Sequence, residues 1–405
     1  MSEPTIMFNP FEPGYVENPY PQFTALRDQD PVHQTPFGTY YVTRHADVVQ
    51  LLRDPLMSVS DANAAPTPLD AVREEALGDQ RQGAPPLSML QRDPPDHTRL
   101  RRLVSRIFTP RRISALAPRI QQLVDGRLDA LAADGGGDVI DGLAFPLPFD
   151  VISEMLGMPD TDRDQIRDWS STVVRSLEPV VDPEIMRAIA DAGTNLDALI
   201  RDVIDWKRAN PDDGLLTKLI DAEEDGDVLD DDELTAQVLL LFVAGHETTV
   251  NLIGNGIQAL LRNPEQLAKL RAEPGLIEGA VEEFLRYDSP VQMSRRINLT
   301  DLDLHDKTIP KGTFIVAALA AANRDPRQFG DSADQLDITR ADAREHVAFG
   351  GGAHYCLGAA LARLEAQTAI GSLVNRFASI EPRADAVYNG RINLRGLDTY
   401  DLALA

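Results

Sequence analysis

The single cysteine of this 405-residue sequence, Cys356, lies between a glycine-rich stretch and a helix-like segment. A lone cysteine cannot form an internal disulfide and has no second thiol for a tetrahedral zinc site. Three interpretations remain: a free core thiol, a nucleophile, or a single thiolate ligand of a metal cofactor. The glycines at 350–352 allow a tight turn and the close approach of a flat, bulky group. A helix that begins after Cys356 directs N–H groups at the sulfur and favours the thiolate, an arrangement that suits iron.

A second group of chemically capable residues interrupts the most apolar stretch of the chain, where Gly245, Glu247 and Thr248 lie close together. Glycine weakens a helix and a core carboxylate must be desolvated, so such residues usually mark function. We expect Gly245 to leave room where a ligand presses on the helix. The Thr248 hydroxyl can bond the carbonyl of Ala244, four residues earlier, and open a local groove.

The segment that carries these residues, 230–263, is predicted to form one long helix. Asp230 and Glu233 have the spacing of a capping box, and Asn263 before a proline is a plausible end. About 30 residues at 1.5 Å each span about 45 Å, enough to cross a domain. Its apolar run, 238–244, covers about 7 residues, against the 18 or more that a bilayer span needs. We therefore predict a core helix and no membrane span.

The residues around the cysteine resemble the haem-ligand signature of the cytochrome P450 superfamily. Phe349, Gly352, Cys356 and Gly358 match its Phe-x-x-Gly-x-x-x-Cys-x-Gly pattern, and His354 stands where many members have Arg. The resemblance implies that Cys356 is the proximal ligand of haem b iron. It also implies that Gly352 and Gly358 keep the loop clear of the porphyrin, and that Phe349 shields the sulfur from water.

The long helix is similar to the same family in the pattern Ala/Gly-Gly-x-Asp/Glu-Thr, filled by Ala244, Gly245, Glu247 and Thr248. The resemblance assigns Glu247 and Thr248 to proton delivery during dioxygen activation, and places Ala244 and Gly245 against the haem. The competing interpretation is that the threonines only satisfy backbone groups of a kinked helix. His246 is about 100° around the helix from Glu247, and we assign it no catalytic role.

A Glu-x-x-Arg pair, Glu283 and Arg286, is followed by a sequence similar to the family's helix K. The spacing allows a bidentate ion pair on one helix face, and the resemblance gives the pair a structural role. The family often adds an Arg from a later segment, where this chain has Gln335. We suggest that Arg340 takes that place.

His97 and Arg101 are four residues apart on one predicted helix face, the spacing with which the family's C helix holds haem propionates. Arg296 and His354 resemble the two remaining propionate partners. These four side chains are therefore predicted to bind the acidic groups of the cofactor.

The same helix begins an arginine-rich stripe, 99–112, in a chain whose formal net charge is −25. Because the rest of the chain repels phosphates, nucleic acid is an unsuitable partner. The resemblance implies that this surface docks an acidic ferredoxin, itself reduced by an NAD(P)H-dependent reductase. Arg102 and Arg112 are the predicted contacts, and Arg99 and Arg106 are expected to point outward with them.

Composition indicates a large core, with 43% hydrophobic and 25% charged residues. Length alone suggests two or three domains, but no linker or composition break divides the chain. The resemblance implies one domain over 1–405, mainly α with small β-sheets, in the cytochrome P450 fold. In that α+β fold a single large helical domain encloses haem between a long central helix and the cysteine loop. The β-rich parts are expected at roughly 30–45 and 290–320.

Helical spacing predicts further helices, and a non-periodic segment rich in Pro, Ser, Asn and Gln, 58–92, predicts a long loop. Strands are expected near 296–301 and 314–319, the second after a Pro-Lys-Gly turn. The predicted helices are 113–133, 149–157, 162–177 and 182–210.

The N-terminal residues lack the basic and apolar segments of a signal peptide or membrane anchor. Together with a single cysteine, this predicts a monomeric cytoplasmic protein that does not bind membranes.

The resulting hypothesis is a haem-thiolate monooxygenase that inserts one atom of O2 into a lipophilic small molecule. The resemblance implies that substrate contacts come from Val243, Val291, Gln292 and Met293, in a pocket also formed by 58–92, 165–190 and 394–397; these segments are mostly apolar, which favours a lipophilic molecule. A peroxide-using peroxygenase would not need Glu247 and Thr248, and neither would a haem-thiolate sensor or carrier. A cysteine hydrolase fails because no Asn or Asp orients a His beside the cysteine.

Overall fold

The computed structural model describes residues 8–78, 86–106, 108–159, 162–179, 182–224 and 227–405. Most of these residues are helical, as expected. The α-helices are α1 Tyr20–Gln29, α2 His45–Arg53, α3 Pro68–Leu77, α4 Asp96–Ser105, α5 Pro110–Ala115, α6 Ala117–Ala133, α7 Pro146–Leu156, α8 Arg163–Val173, α9 Pro183–Ala209, α10 Leu215–Ile220, α11 Asp231–Arg262, α12 Pro264–Ala272, α13 Ile277–Tyr287, α14 Leu319–Ala322, α15 Pro326–Phe329 and α16 Ala359–Arg376.

The strands are short and form small sheets. They are β1 Val32–Gln34, β2 Tyr40–Val42, β3 Met57–Ser58, β4 Gly136–Asp138, β5 Glu223–Glu224, β6 Asp227–Val228, β7 Ser294–Asn298, β8 Leu302–Leu304, β9 Lys307–Ile309, β10 Phe314–Ala317, β11 Ile380–Pro382, β12 Val387–Tyr388, β13 Leu397–Thr399 and β14 Asp401–Leu404. The largest sheet has the order β1-β2-β10-β7-β3, so the two predicted β-rich regions combine in one sheet. β2 and β10 run parallel, with Tyr41 opposite Val316, and the other pairs are antiparallel.

The centre of the helical part is α11, which packs against α7, α9, α13 and α16. It begins at the predicted capping box, in which the Asp230 carboxylate accepts the Glu233 N–H at 2.8 Å. By length and composition α11 could cross a bilayer, but most of its apolar stretch is buried inside the protein. This burial explains why the helix is apolar over much of its circumference.

Two predicted elements differ in the structure. The expected loop 58–92 contains α3, because Pro68 is a favourable first residue and the Asp70 carboxylate accepts the Thr67 N–H at 2.6 Å; residues 79–85 lie outside the described part. The expected helix 113–133 is divided into α5 and α6, since Pro118 cannot continue a helix begun before it but fits the first turn of α6.

Candidate active site

A largely apolar cavity of about 300 Å³ lies between α11 and the loop before α16. Its walls come from the segment before α4, from α4 and α7, from α11, and from the segment that follows α13. The cysteine loop closes the cavity opposite these apolar groups, and Cys356 itself lines it. The apolar wall includes Met89, Leu90, Phe108, Ile152, Leu240, Leu241, Leu252, Leu285, Val291, Leu319 and Leu361.

The cysteine loop folds back on itself, with the Cys356 N–H donating to the Phe349 carbonyl at 2.9 Å. Cys356 is exposed and borders the cavity, with protein packed around the rest of its side chain. Burial raises the pKa of its thiol, while the N–H groups of Gly358 and Ala359 and the charge of Arg101 lower it. The helix start therefore favours the thiolate, while the protein packed around the sulfur opposes it.

Two of the glycines have structural reasons within the protein, in addition to those predicted. A Cβ on Gly352, whose φ is +62°, would collide with the Leu52 carbonyl oxygen, so the approach of α2 by itself requires a glycine here. A Cβ on Gly245 would lie 3.2 Å from the Ile152 side chain on α7. At Gly358 a Cβ would meet no protein atom within 4 Å, and this residue borders the cavity. Of the three, Gly358 leaves open space where a flat group could lie.

The cavity face of α11 carries Ala244, Gly245, Thr248 and Thr249. The Thr248 hydroxyl donates to the Ala244 carbonyl at 3.0 Å, the predicted bond across one helical turn. This bond fixes the Thr248 side chain while it borders the cavity. Thr249 makes the longer equivalent bond, 3.4 Å to the Gly245 carbonyl.

Glu247 does not line the cavity, because its carboxylate turns toward Arg391 from the C-terminal part of the chain. The Arg391 guanidinium donates to Glu247 Oε2 at 2.9 Å and to the Ser171 hydroxyl at 2.7 Å. His246 is fully buried, with Nε2 3.7 Å from Glu247 Oε1, and burial lowers its pKa. Sequence reasoning missed Arg391, since no local pattern marks a partner 144 residues away.

Three basic side chains, His97, Arg101 and His354, border the cavity, and Arg296 lies near enough to His354 to act on its charge. The ring centroids of His97 and His354 are 4.1 Å apart, and both rings border the cavity with Arg101. Burial lowers the pKa of His354 to about 4, with further lowering by His97 and Arg296. Burial also lowers the pKa of Arg296 to about 10.

Two observations show that this cluster fits an acidic group. Both ring nitrogens of buried His97 have no hydrogen-bond partner among the described residues. Arg101 and Arg296 bond mainly to neutral oxygens, the Tyr355 carbonyl at 2.6 Å and the Ser294 hydroxyl at 2.7 Å. Buried donors without anionic partners are costly, and carboxylates of a cofactor would satisfy them. The residues present therefore fit a haem held by one thiolate and this basic cluster.

The Glu283–Arg286 pair is fully buried and bidentate, with N–O distances of 2.7 and 2.8 Å. Arg340 donates to Glu283 Oε1 at 3.2 Å, in the place suggested for it. Gln335 contributes its backbone carbonyl, which accepts from both arginines. The network thus connects α13 to the segment 335–340 ahead of the cysteine loop.

The predicted substrate contacts are partly wrong. Val291 borders the cavity, but Val243 points from α11 into the core cluster with α7 and α9. Gln292 is fully buried, with its amide nitrogen bonded to the Ser289 carbonyl at 2.6 Å, and Met293 packs among N-terminal aromatic residues. Among residues 291–293, Val291 therefore faces the cavity and its two neighbours do not. No described residue of 165–190 or 394–397 lines it either.

The arginine stripe is only partly outward. Arg102, Arg106 and Arg112 are exposed. Arg99 instead forms ion pairs with Glu233 and, at 3.2 Å, with Asp227, which joins α4 to the start of α11.

Comparisons with known proteins agree with this geometry. The family model "Cytochrome P450" matches residues 70–387. Cytochrome P450 107B1 of Saccharopolyspora erythraea is 43% identical over 96% of this chain and 95% of its own length. The cytochrome P450 monooxygenase PikC of Streptomyces venezuelae is 42% identical over 93% and 88%. The structure of the cytochrome P450 PksS of Bacillus subtilis 168, of the bacillaene polyketide synthase, superposes with a TM-score of 0.87 at 35% identity, covering 98% of this chain and 100% of that one.

The similarity extends over nearly the whole chain and includes the fold, the cysteine loop and the central helix. The chain therefore belongs to the cytochrome P450 family, the haem-binding monooxygenases, and is of the bacterial type.

Proposed function

We propose that the protein binds haem b and inserts one oxygen atom of O2 into a lipophilic small molecule, by hydroxylation or epoxidation. The observation that carries this proposal is one apolar cavity bordered both by Cys356 and by Thr248. A cysteine thiolate on haem iron favours O–O cleavage, and a hydroxyl positioned across the cavity can take part in proton transfer.

In this proposal Cys356 would hold the haem iron through its thiolate, and His97, Arg101, Arg296 and His354 would hold the acidic groups of haem. When bound, haem supplies the iron at which dioxygen is reduced and activated. Iron would also stabilise the thiolate against the burial that raises the pKa of Cys356. Phe349 packs at the loop's edge beside Arg363, whose guanidinium lies 4.5 Å from the ring centroid, and helps to exclude water from the sulfur.

The chain's own contribution to proton delivery lies on α11. The Thr248 hydroxyl donates to the Ala244 carbonyl. Its oxygen can therefore accept a hydrogen bond from a donor on the cavity side. Glu247 Oε2 accepts a hydrogen bond from Arg391, which leaves Oε1 as the oxygen that can bond a water molecule. We infer that protons reach the cavity from Glu247 through water to Thr248, with Arg391 setting the direction of the carboxylate.

The walls explain the proposed substrate class. They are formed mostly by aliphatic and aromatic side chains, and the basic cluster at the edge is reserved for the cofactor. A lipophilic molecule would therefore gain free energy by burial, while a highly charged one would lose its hydration without a partner.

We also propose an acidic ferredoxin, reduced by an NAD(P)H-dependent reductase, as electron donor. Exposed Arg102 lies on α4, the helix that also supplies His97 and Arg101, and exposed Arg112 lies on the next helix, α5. The net charge of −25 opposes nucleic acid as a partner. We expect residues 1–405 to work as one domain, in a cytoplasmic monomer, as suits a chain with a single cysteine.

The test uses the purified protein loaded with haem. We expect the carbon monoxide complex of the reduced protein to show the red-shifted thiolate band, and lipophilic compounds to cause a substrate spin shift. With ferredoxin, reductase and 18O2, the product of such a compound should carry one labelled oxygen. Label arriving from H218O instead of 18O2 would contradict the proposal. Turnover with hydrogen peroxide alone that equals turnover with ferredoxin, reductase and O2 would favour a peroxygenase. A spectral shift without any product would favour a sensor or carrier.

A further inference from the structure

A carboxylate beyond the end of α8 binds a turn near the C-terminus of the chain. Glu178 Oε2 accepts the N–H groups of Ile392 at 2.8 Å and Asn393 at 2.9 Å. Oε1 accepts those of Leu394 at 3.0 Å and Asn393 at 3.1 Å. Three consecutive N–H groups that converge on one anion form a backbone nest. Asn393 Nδ2 adds a bond to the Leu177 carbonyl at 3.2 Å.

The same turn holds one wall of the cavity. Leu394 pairs with Val291 in an antiparallel bridge, and the Gln292 N–H donates to the Asn393 carbonyl at 2.9 Å. The Met293 N–H donates to Asn393 Oδ1, also at 2.9 Å. Because Val291 borders the cavity, the position of the turn determines how far this side chain projects into it.

The turn has a second support on α11. Asn251 Nδ2 donates to the Leu394 carbonyl at 3.3 Å, and the Leu394 side chain is buried in the same apolar cluster as Val174 and Leu241. Leu241 is itself a cavity residue. Glu178 therefore acts from the side opposite α11, and the turn is held between the two.

We propose that Glu178 is a positioning residue that determines how bulky molecules fit the cavity, through the turn 392–394 and Val291. This inference rests on the proposed function, since it concerns the fit of molecules beside the haem. Glu178 is not among the described residues that line the cavity, so it acts without touching the bound molecule. Its removal would leave three N–H groups without their anionic acceptor and let the turn and Val291 move.

The experiment compares two iron-binding probes in the haem-loaded protein. Imidazole is small and reports access to the iron, whereas clotrimazole, an imidazole with three aryl groups, also contacts the walls. In Glu178→Ala we expect the dissociation constant of clotrimazole, from the optical difference spectrum, to change by about tenfold. That of imidazole should stay unchanged. Glu178→Gln, which keeps one acceptor oxygen, should lie between Ala and the parent protein.

The matched control is Glu184→Ala, which removes an exposed carboxylate from the first turn of α9. It should leave both dissociation constants unchanged. A lower melting temperature in Glu178→Ala with an unchanged clotrimazole-to-imidazole ratio would overturn the proposal, because it would show a general structural role. An equal change for both probes would overturn it too.

Amide hydrogen exchange provides a readout that does not depend on haem. The amides of 392–394 and of Gln292 and Met293 should exchange faster in Glu178→Ala than in the parent, and unchanged protection there would overturn the proposal. Absence of the thiolate carbon monoxide band in the parent protein would contradict the proposed function instead, while the exchange data would still decide whether Glu178 holds the wall.

Discussion

Replacing Thr248 by alanine tests the proposed oxygen chemistry of α11. The substitution removes the 3.0 Å bond from Oγ1 to the Ala244 carbonyl. Losing such a bond costs about 1 kcal/mol, and the higher helix propensity of alanine offsets about 0.5 kcal/mol of that. The free energy of unfolding should therefore change by less than about 1 kcal/mol. We expect normal haem content, substrate spin shift and first reduction.

The substitution should change how much product and how much hydrogen peroxide form per NADH consumed. One hydrogen bond to the reacting oxygen, at about 1.4 kcal/mol, changes the ratio of product to released hydrogen peroxide about tenfold. NADH should still be consumed, with less product and more hydrogen peroxide per NADH. Measuring NADH, product and peroxide in the same reaction gives this ratio directly, with any compound that causes the spin shift.

Thr235→Ala is a matched control on the same helix. Thr235 makes the same type of bond, 2.7 Å to the Asp231 carbonyl, but is buried and does not line the cavity. In Thr235→Ala the product formed per NADH should equal that of the parent protein. Full coupling in Thr248→Ala would refute the reasoning, and so would equal uncoupling in Thr235→Ala, since that would trace the effect to the helix and not to the cavity hydroxyl.

Other substitutions test the remaining parts of the site. Cys356→Ser should abolish the red-shifted carbon monoxide band of the reduced protein. Arg102→Glu should slow reduction by an acidic ferredoxin in stopped-flow measurements, with a loss that shrinks as salt increases, because salt screens surface attraction. Glu247→Gln should slow oxygen-dependent turnover about 10²-fold. Arg391→Ala should slow it less, because this variant keeps the Glu247 carboxylate but removes the guanidinium that orients it. Arg340→Ala, which removes a charged donor from buried Glu283, should lower the free energy of unfolding in urea by about 2 kcal/mol.

Controls and contrary outcomes follow from the same geometry. A retained red shift in Cys356→Ser would show that Cys356 is not the iron ligand. Arg187→Glu, an exposed change on α9, should not affect reduction, and a salt-independent loss in Arg102→Glu would contradict docking. Normal turnover in Glu247→Gln would show that the Glu247 carboxylate takes no part in proton delivery. Arg344→Ala, whose side chain is 71% exposed, should leave stability unchanged, and an equal loss there would contradict the importance of the Glu283 network.

Local motifs predicted much of the site because their information is contained within a few residues. The capping box at Asp230 and the i−4 bond of Thr248 depend on helix geometry alone, and both occur as expected. The family was likewise identifiable from the cysteine loop and the pattern on the long helix, and the comparisons confirm it. Helix bounds were less predictable where Pro68 and Pro118 begin helices that hydrophobic periodicity did not reveal.

Contacts between distant segments were beyond the sequence. The direction of Glu247 is set by Arg391, and the backbone of α2 requires the glycine at 352. Val291 faces the cavity while Gln292 does not, because the bridge to Leu394 fixes which side of the strand-like segment points inward.

The sequence alone therefore determined the chemistry that is available: one thiol at a helix start, and a carboxylate and hydroxyl on one long helix. Only the tertiary structure decided which groups meet, since side-chain direction depends on packing between elements hundreds of residues apart. The turn held by Glu178 illustrates this, because its three N–H groups carry no sequence information and acquire their role only when the chain brings an anion to them.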